Sequence, residues 1–293
     1  MKLSFIAIVL FASAPLFADP AIVSAKSGLN IREKPDTKSK VLMTVVTGGE
    51  VEVEEVLSKS ENIQGKQANW MKVTYQDPSG GPSVSGFAFG GFLFREPGKH
   101  PVELREDFIK AQYGIVVTHQ GTDDTHWSVS LKLQSGKVVT LWKNNGSSDG
   151  GSGGYYVADY NPAAGFISFR QKDTPDYALV DYTTGKIHRL QYDVPSFNAA
   201  GTAYFESANG GMFGFHMDVY EIGSGRVPRN VFAMHEEDLP GWDEFRAAWK
   251  DANTIECRYV HGGAKRGFLI KKTGGSWVRL ADCSVDALTG VCK

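Results

Sequence analysis

Between residues 127 and 278 the chain repeats one local pattern four times, and this repetition restricts the possible folds more than any other feature. Each copy is an alternating apolar and polar run, a tight turn closing on glycine, and a second alternating run, over 127–138, 177–187, 217–227 and 267–278. The turn glycines are Gly136, Gly185, Gly225 and Gly275, at steps of 49, 40 and 50 residues. Alternation at period two places every second side chain on one face of a strand. Glycine supplies the positive φ that a tight hairpin turn demands. A second turn class precedes three of the copies, at Asn161–Gly165, Asn198–Gly201 and Lys250–Asn253, and each leads into a further strand. One segment breaks the pattern: in Leu239–Trp249 the residues Trp242, Phe245 and Trp249 stand three and four apart, which predicts a helix with an apolar stripe.

Two hairpins in each unit of about 40–50 residues is the period of a β-propeller blade. The expectation for residues 102–293 is therefore an antiparallel β-repeat domain, propeller-like, with a β-sandwich as the alternative. The turns at Asn198, Gly201 and Phe205, and at Asp181, Gly185 and Lys186, resemble the N-x-x-G-x-x-x-F and D-x-x-x-G-K patterns of TolB-like propeller blades. The loop from Asn144 to Gly154 reads as a flexible connection between the first two units; its single acid, Asp149, is too few oxygen ligands for calcium.

The segment before this domain is a different reading of the same all-β class. Short strands are expected at Ile22–Ala25, Leu29–Arg32, Val41–Val46, Val51–Val56, Trp70–Tyr75 and Gly86–Leu93, with a turn at Glu33–Asp36 and a polar loop over Leu57–Asn69. Many short strands at close spacing imply a small closed barrel, which removes exposed edges. The ordered string Gly28-Leu29-Asn30-Ile31-Arg32, Pro35, Gly48-Gly49-Glu50-Val51, Trp70-Met71-Lys72-Val73, Gly86-Phe87-Ala88 and Phe92-Leu93 resembles bacterial-type SH3 domains over residues 21–96. Phe87 stands where tryptophan is commoner in that family, and the stretch between Val56 and Trp70 is a long insert. The resemblance implies binding of cell-wall peptides or envelope proteins, with Asn30, Arg32, Trp70, Tyr75 and Phe87 as candidate binding residues. Residues 97–101 read as a linker, and Val102–Lys110 as room for one short helical turn.

Met1-Lys2, the apolar run Leu3–Leu10 and Ala18 before Asp19 form a secretory signal pattern, so export to the periplasm or exterior is expected, with cleavage after Ala18. No later segment has the length of a membrane helix. A formal net charge of −2 is not that of a nucleic-acid binder. Export permits disulfides. Cys283 and Cys292 flank a short turn-like segment and are the expected pair; Cys257, within an apolar alternation, is expected as a buried thiol. The sequence carries no determinant of oligomeric state.

A search for chemistry finds no catalytic, metal or cofactor motif. Asp282-Cys283-Ser284 matches the letters of the NlpC-type nucleophile, but only ten residues follow Cys283 and none is the histidine base that must come later. The seven histidines show no H-E-x-x-H spacing; His119, His126, Asp123 and Asp124, and the acids after His235, are the nearest approach to a ligand set. The expectation is a non-enzymatic exported envelope protein. A cell-wall hydrolase with its site on the second domain, and a purely structural surface protein, are the alternatives.

Overall fold

The computed structural model describes residues 19–76, 83–121, 126–145, 154–171, 176–208, 216–235 and 244–284. The expected signal segment, Asp123, Asp124, Asp149, the acids after His235, Trp242 and Cys292 lie outside the described residues. The chain divides into two compact units, the first ending at Leu104 and the second starting at Arg105.

The first unit is a seven-stranded antiparallel sheet in the order β3-β2-β6-β5-β4-β1-β7. Its strands are β1 (Asp19–Val23), β2 (Leu29–Arg32), β3 (Val41–Val45), β4 (Glu50–Ile63), β5 (Lys66–Tyr75), β6 (Val84–Phe89) and β7 (Leu93–Phe94). The alternating positions Leu29 and Ile31, Val51 and Val53, and Met71 and Val73 point inward and form one core with Ala21, Val23, Val45 and Ala88. The expected polar loop at Leu57–Asn69 is instead a hairpin. β4 and β5 pair through Ile63↔Lys66 after an irregularity between Val56 and Ser60. The two residues at the tip, Gln64 at φ 52° and Gly65 at φ 78°, are both left-handed, as a two-residue primed turn requires. This ribbon lies beyond the barrel core, so it carries no apolar alternation. Its polar side chains bond across the ribbon: Gln67 Nε2 donates to Ser60 Oγ at 2.7 Å, and Asn69 Nδ2 to the Leu57 carbonyl at 2.8 Å.

The helix α1 (Pro101–Tyr113) is longer than the single turn expected. Proline suits its first position, which needs no amide donor, and Gly114 at φ 69° closes it by donating to the Lys110 carbonyl at 2.9 Å.

The second unit is a succession of antiparallel meanders. β8 (Val116–Gln120), β9 (His126–Lys132) and β10 (Val138–Asn145) form a three-stranded sheet. β11 (Tyr155–Asn161), β12 (Phe166–Gln171), β13 (Tyr177–Asp181) and β14 (Ile187–Leu190) form the next. β15 (Ser196–Phe197), β16 (Ala203–Ala208), β17 (His216–Ile222) and β18 (Pro228–His235) form the third. β19 (Glu244–Asp251), β20 (Thr254–His261), β21 (Ala264–Thr273) and β22 (Ser276–Arg279) form the fourth, with β23 (Cys283–Ser284) added against β21. Each sheet is read off the chain in order, strand beside next strand, which is the blade topology of a propeller.

The expected helix at 239–249 is corrected. Its described part is the strand β19, paired with β20 through Phe245↔Tyr259 and Trp249↔Ile255. Phe245, Ala247 and Trp249 also stand two apart, and that period places all three against the core of the third and fourth sheets, beside Phe205, Ile255, Phe268 and Trp277. Phe245 and Trp249, four apart, fit both periods; pairing with a full neighbouring strand decided between them.

The two turn classes read from the sequence join consecutive strands within single sheets. Asn161 and Asn198 cap their turns by accepting from Ala164 N at 2.8 Å and Thr202 N at 2.9 Å. Asn198 Nδ2 then donates to the Ala252 carbonyl at 2.9 Å, and Trp249 Nε1 to the Ser196 carbonyl at 2.8 Å, tying the third sheet to the fourth. Of the four repeat glycines, Gly136, Gly185 and Gly275 are left-handed. In the third copy the left-handed residue is Arg226, at φ 54°, in place of Gly225.

Candidate functional site

On the first unit a groove of about 490 Å³ opens over the outer face of the barrel sheet. Trp70, Phe89 and Phe92 form its floor, in edge-to-face order with ring centroids 6.0 Å and 5.6 Å apart. The loop between β1 and β2, carrying Lys26, makes one wall; the tip of the β4–β5 ribbon, with Ile63, Gln64 and Lys66, makes the other. Asn30, Arg32 and Thr37 complete the lining. Three basic residues and no acid line it among the described residues. A low-polarity aromatic floor beneath basic walls suits a ligand that presents both an apolar group and a carboxylate.

The groove residues are held from below. Trp70 is 1% exposed and its indole Nε1 donates to Glu61 Oε2 at 2.8 Å, so the ring is fixed and its polar atom satisfied. Lys66 Nζ donates to the Gly91 carbonyl at 2.9 Å and lies 5.0 Å from the Phe92 ring centroid. Arg32 Nη1 donates to the Ser39 carbonyl at 2.6 Å, bracing the turn that follows β2. Asn30 Oδ1 accepts from Thr44 Oγ1 at 2.6 Å.

Of the five residues expected to bind, the structure brings Asn30, Arg32 and Trp70 to the groove. Tyr75 packs against the barrel core, and Phe87 is half-buried in register between Arg32 and Lys72. Sequence reasoning passed over Lys26, Ile63, Gln64, Lys66, Phe89 and Phe92. The available signal was the insert between Val56 and Trp70, whose length is what builds the second wall.

The second unit carries a polar constellation on one face of the third sheet. Glu206 on β16 stands opposite Asp218 on β17, and His216 on β17 opposite His235 on β18. Glu206 and Asp218 are 1% and 4% exposed. Burial raises the Glu206 carboxyl to about 7, against the lowering effect of the Gln191 and Tyr192 backbone donors, and the Asp218 charge adds to the rise. Those donors lie 2.7 Å and 3.3 Å from Glu206 Oε2. Burial likewise raises Tyr220 to about 12, helped by Glu206 and Asp218. Among the described residues, no group of three or more His, Cys, Asp or Glu side chains is arranged to hold a metal ion.

The other candidates resolve into structure. His119 Nε2 lies 2.8 Å from Glu106 Oε1 and its ring stacks on Tyr156 at 4.8 Å, while Glu106 Oε2 accepts from Val157 N at 2.9 Å. Asp282 accepts from Tyr259 Oη at 2.8 Å and Arg279 Nη2 at 2.7 Å. Cys257 is a fully buried free thiol, pushed well above the usual thiol range by burial.

Comparison with known proteins matches residues 27–93 to the bacterial SH3 domain. No curated protein matches the chain. Among solved structures, the periplasmic gluconolactonase PpgL of Pseudomonas aeruginosa is similar at 9% identity and a TM-score of 0.36, over 92% of this chain and 84% of that one. A protein of Bacteroides fragilis described as a 6-phosphogluconolactonase is similar at 10% identity and a TM-score of 0.34, over 92% and 83%. TolB of Acinetobacter baumannii is similar at 15% identity and a TM-score of 0.27, over 76% of this chain and 56% of that one. At these identities and TM-scores no activity passes to this chain. The lactonase names do overturn the expectation of a non-enzymatic protein. That expectation rested on missing motifs, and a motif search detects only groups close in sequence. Glu206, Asp218, His216 and His235 share one face of three strands with no motif between them. The chain is all-β, a bacterial SH3 domain over residues 27–93 followed by a propeller-like succession of antiparallel sheets.

Proposed function

We propose that this is an exported cell-envelope protein whose SH3 domain binds peptide segments of the cell wall or of envelope proteins through the basic, aromatic-floored groove. The observation that carries the reading is the coincidence, in one groove, of Trp70, Phe89 and Phe92 below and Lys26, Arg32 and Lys66 around the rim. Phe92, partly exposed and backed by the buried Trp70 and Phe89, offers apolar contact to a ligand side chain, and the rim cations pair with a carboxylate at a cost in salt sensitivity. The signal pattern at residues 1–18 supplies the route to the envelope, and export permits a Cys283–Cys292 bridge to fasten the end of the chain.

The test is fluorescence anisotropy with short labelled peptides that end in an apolar residue and differ only in a free or amidated carboxyl terminus. The free acid is expected to bind more tightly than the amide and to weaken from low to high salt. Lys66→Glu is expected to weaken it roughly 3- to 10-fold with thermal stability unchanged. Equal binding of acid and amide would sink the carboxylate reading. The bridge is checked separately by intact-mass measurement of the exported protein before and after thiol alkylation. Two alkylated cysteines appearing only after reduction are expected; alkylation of Cys283 without reduction is the contrary result.

A further inference from the structure

On the third sheet, His216 Nδ1 and His235 Nδ1 face each other at 3.0 Å across the β17–β18 pair. Two imidazoles bound to one ion at 2.0–2.1 Å, at angles between square and tetrahedral, hold their nitrogens about 2.9–3.4 Å apart. The pair therefore already stands at chelating separation. Tyr192 stacks on the His216 ring at 5.1 Å with the planes 5° apart, so that ring is held in orientation.

A second observation points to the same place. Asp218 lies two residues after His216 on β17, on the same face and about 7 Å along the strand. Its Oδ1 is buried and has no hydrogen-bond partner among the described residues. A buried carboxylate oxygen without a donor is costly, and Glu206, which stands opposite it, can donate only in its protonated form. A water bound to a cation between the histidines would supply the missing donor.

We infer that His216 and His235 form a two-imidazole, solvent-open site for a first-row divalent metal ion of the zinc or copper class, with Asp218 as acceptor for the bound water. Imidazole nitrogen selects that class over magnesium or calcium. Two protein ligands leave the remaining positions to solvent, which agrees with the absence of a third ligating side chain among the described residues. The carboxylate acts through the water, as outer-shell partners of metal sites do.

The experiment uses the full exported chain without a histidine tag, stripped with chelator and desalted, titrated with Zn²⁺ by calorimetry and with Cu²⁺ by electron paramagnetic resonance at pH 7.5. One saturable ion per chain is expected, with hyperfine structure from two nitrogens. His235→Ala, at an exposed position, should fold as the native chain does, lose one nitrogen from the spectrum and weaken binding at least about tenfold. His216→Gln should do the same, and Asp218→Asn should weaken binding while keeping both nitrogens. Zn²⁺ should raise the melting midpoint of the native chain and not that of His235→Ala. Absence of saturable binding, or binding within twofold of native in both histidine variants, overturns the inference.

Discussion

Replacing Trp70 with alanine is expected to destabilise the first unit by about 3–5 kcal/mol, the largest effect of any single substitution in the SH3 domain. The ring is 1% exposed, meets Phe89 edge to face at 6.0 Å, and satisfies its indole nitrogen on Glu61. Alanine would leave a cavity between the barrel and the β4–β5 ribbon, and would remove the side chain that fastens the ribbon to the sheet. Because the ribbon tip is one wall of the groove, ligand binding should be lost together with stability. Trp70→Phe separates the two effects. It keeps most of the buried area and drops the bond to Glu61, so about 1–2 kcal/mol is expected. Urea unfolding followed by circular dichroism is the measurement, because Trp70 is the only tryptophan of the first unit. A cost below about 1 kcal/mol for Trp70→Ala would show that the ring is not structural.

Arg226 governs the second large effect. Its guanidinium reaches from the β17–β18 turn to the second sheet, where Nη2 lies 2.9 Å from Asp181 Oδ1 and Nε 3.0 Å from Oδ2. Nη2 also donates to the Ala164 and Gly165 carbonyls at 3.0 Å and 3.1 Å. The Asp181 side chain is 2% exposed and that of Arg226 34%. Burial acts to raise the Asp181 carboxyl, yet the Arg226 bonds and the donors Thr183 N and Thr184 Oγ1 outweigh it and hold the group below its usual value. A carboxylate with a lowered folded-state value stabilises the fold above the unfolded value near 3.8 and loses that contribution as pH falls through the folded value. Arg226→Ala strands a buried charge. Breaking such a pair costs about 3–5 kcal/mol when both partners are buried, and about 2–3 is expected here because the arginine is a third exposed. With the guanidinium gone, burial dominates and the Asp181 value should rise above normal. The pH dependence then changes sign, so the variant loses stability as pH rises through that raised value.

The backbone offers an internal control. Arg226 has φ 54°, a conformation that costs a residue with a Cβ about 1–2 kcal/mol and glycine almost nothing. Arg226→Gly should therefore be more stable than Arg226→Ala by about 1 kcal/mol, although both lose the same ion pair. Urea midpoints between pH 3 and pH 8 decide the matter. Equal stability of the two variants, or an unchanged pH profile in Arg226→Ala, would contradict the account. The residue that breaks the glycine repeat is thus the one whose side chain joins two sheets: the repeat gave up an unstrained turn at Gly225 and Arg226 in exchange for the bond to Asp181.

The sequence by itself determined the strand class, the SH3 domain and the repeat, because period-two alternation and turn chemistry are local. Leu29 and Ile31, or Val51 and Val53, face one core whatever their partners are, and Gly136, Gly185 and Gly275 need a left-handed turn wherever the hairpin lies. Tertiary structure decided what depended on distant partners. Phe245 and Trp249 became strand residues because β20 was there to pair with them. The Leu57–Asn69 insert became a groove wall because its polar residues bond to each other rather than to a core. The site residues divided on the same ground: Asn30, Arg32 and Trp70 share the face that the ribbon covers, while Tyr75 packs inward. Glu206, Asp218, His216 and His235 share a face only through strand register, a relation between strands that no local pattern in the sequence encodes.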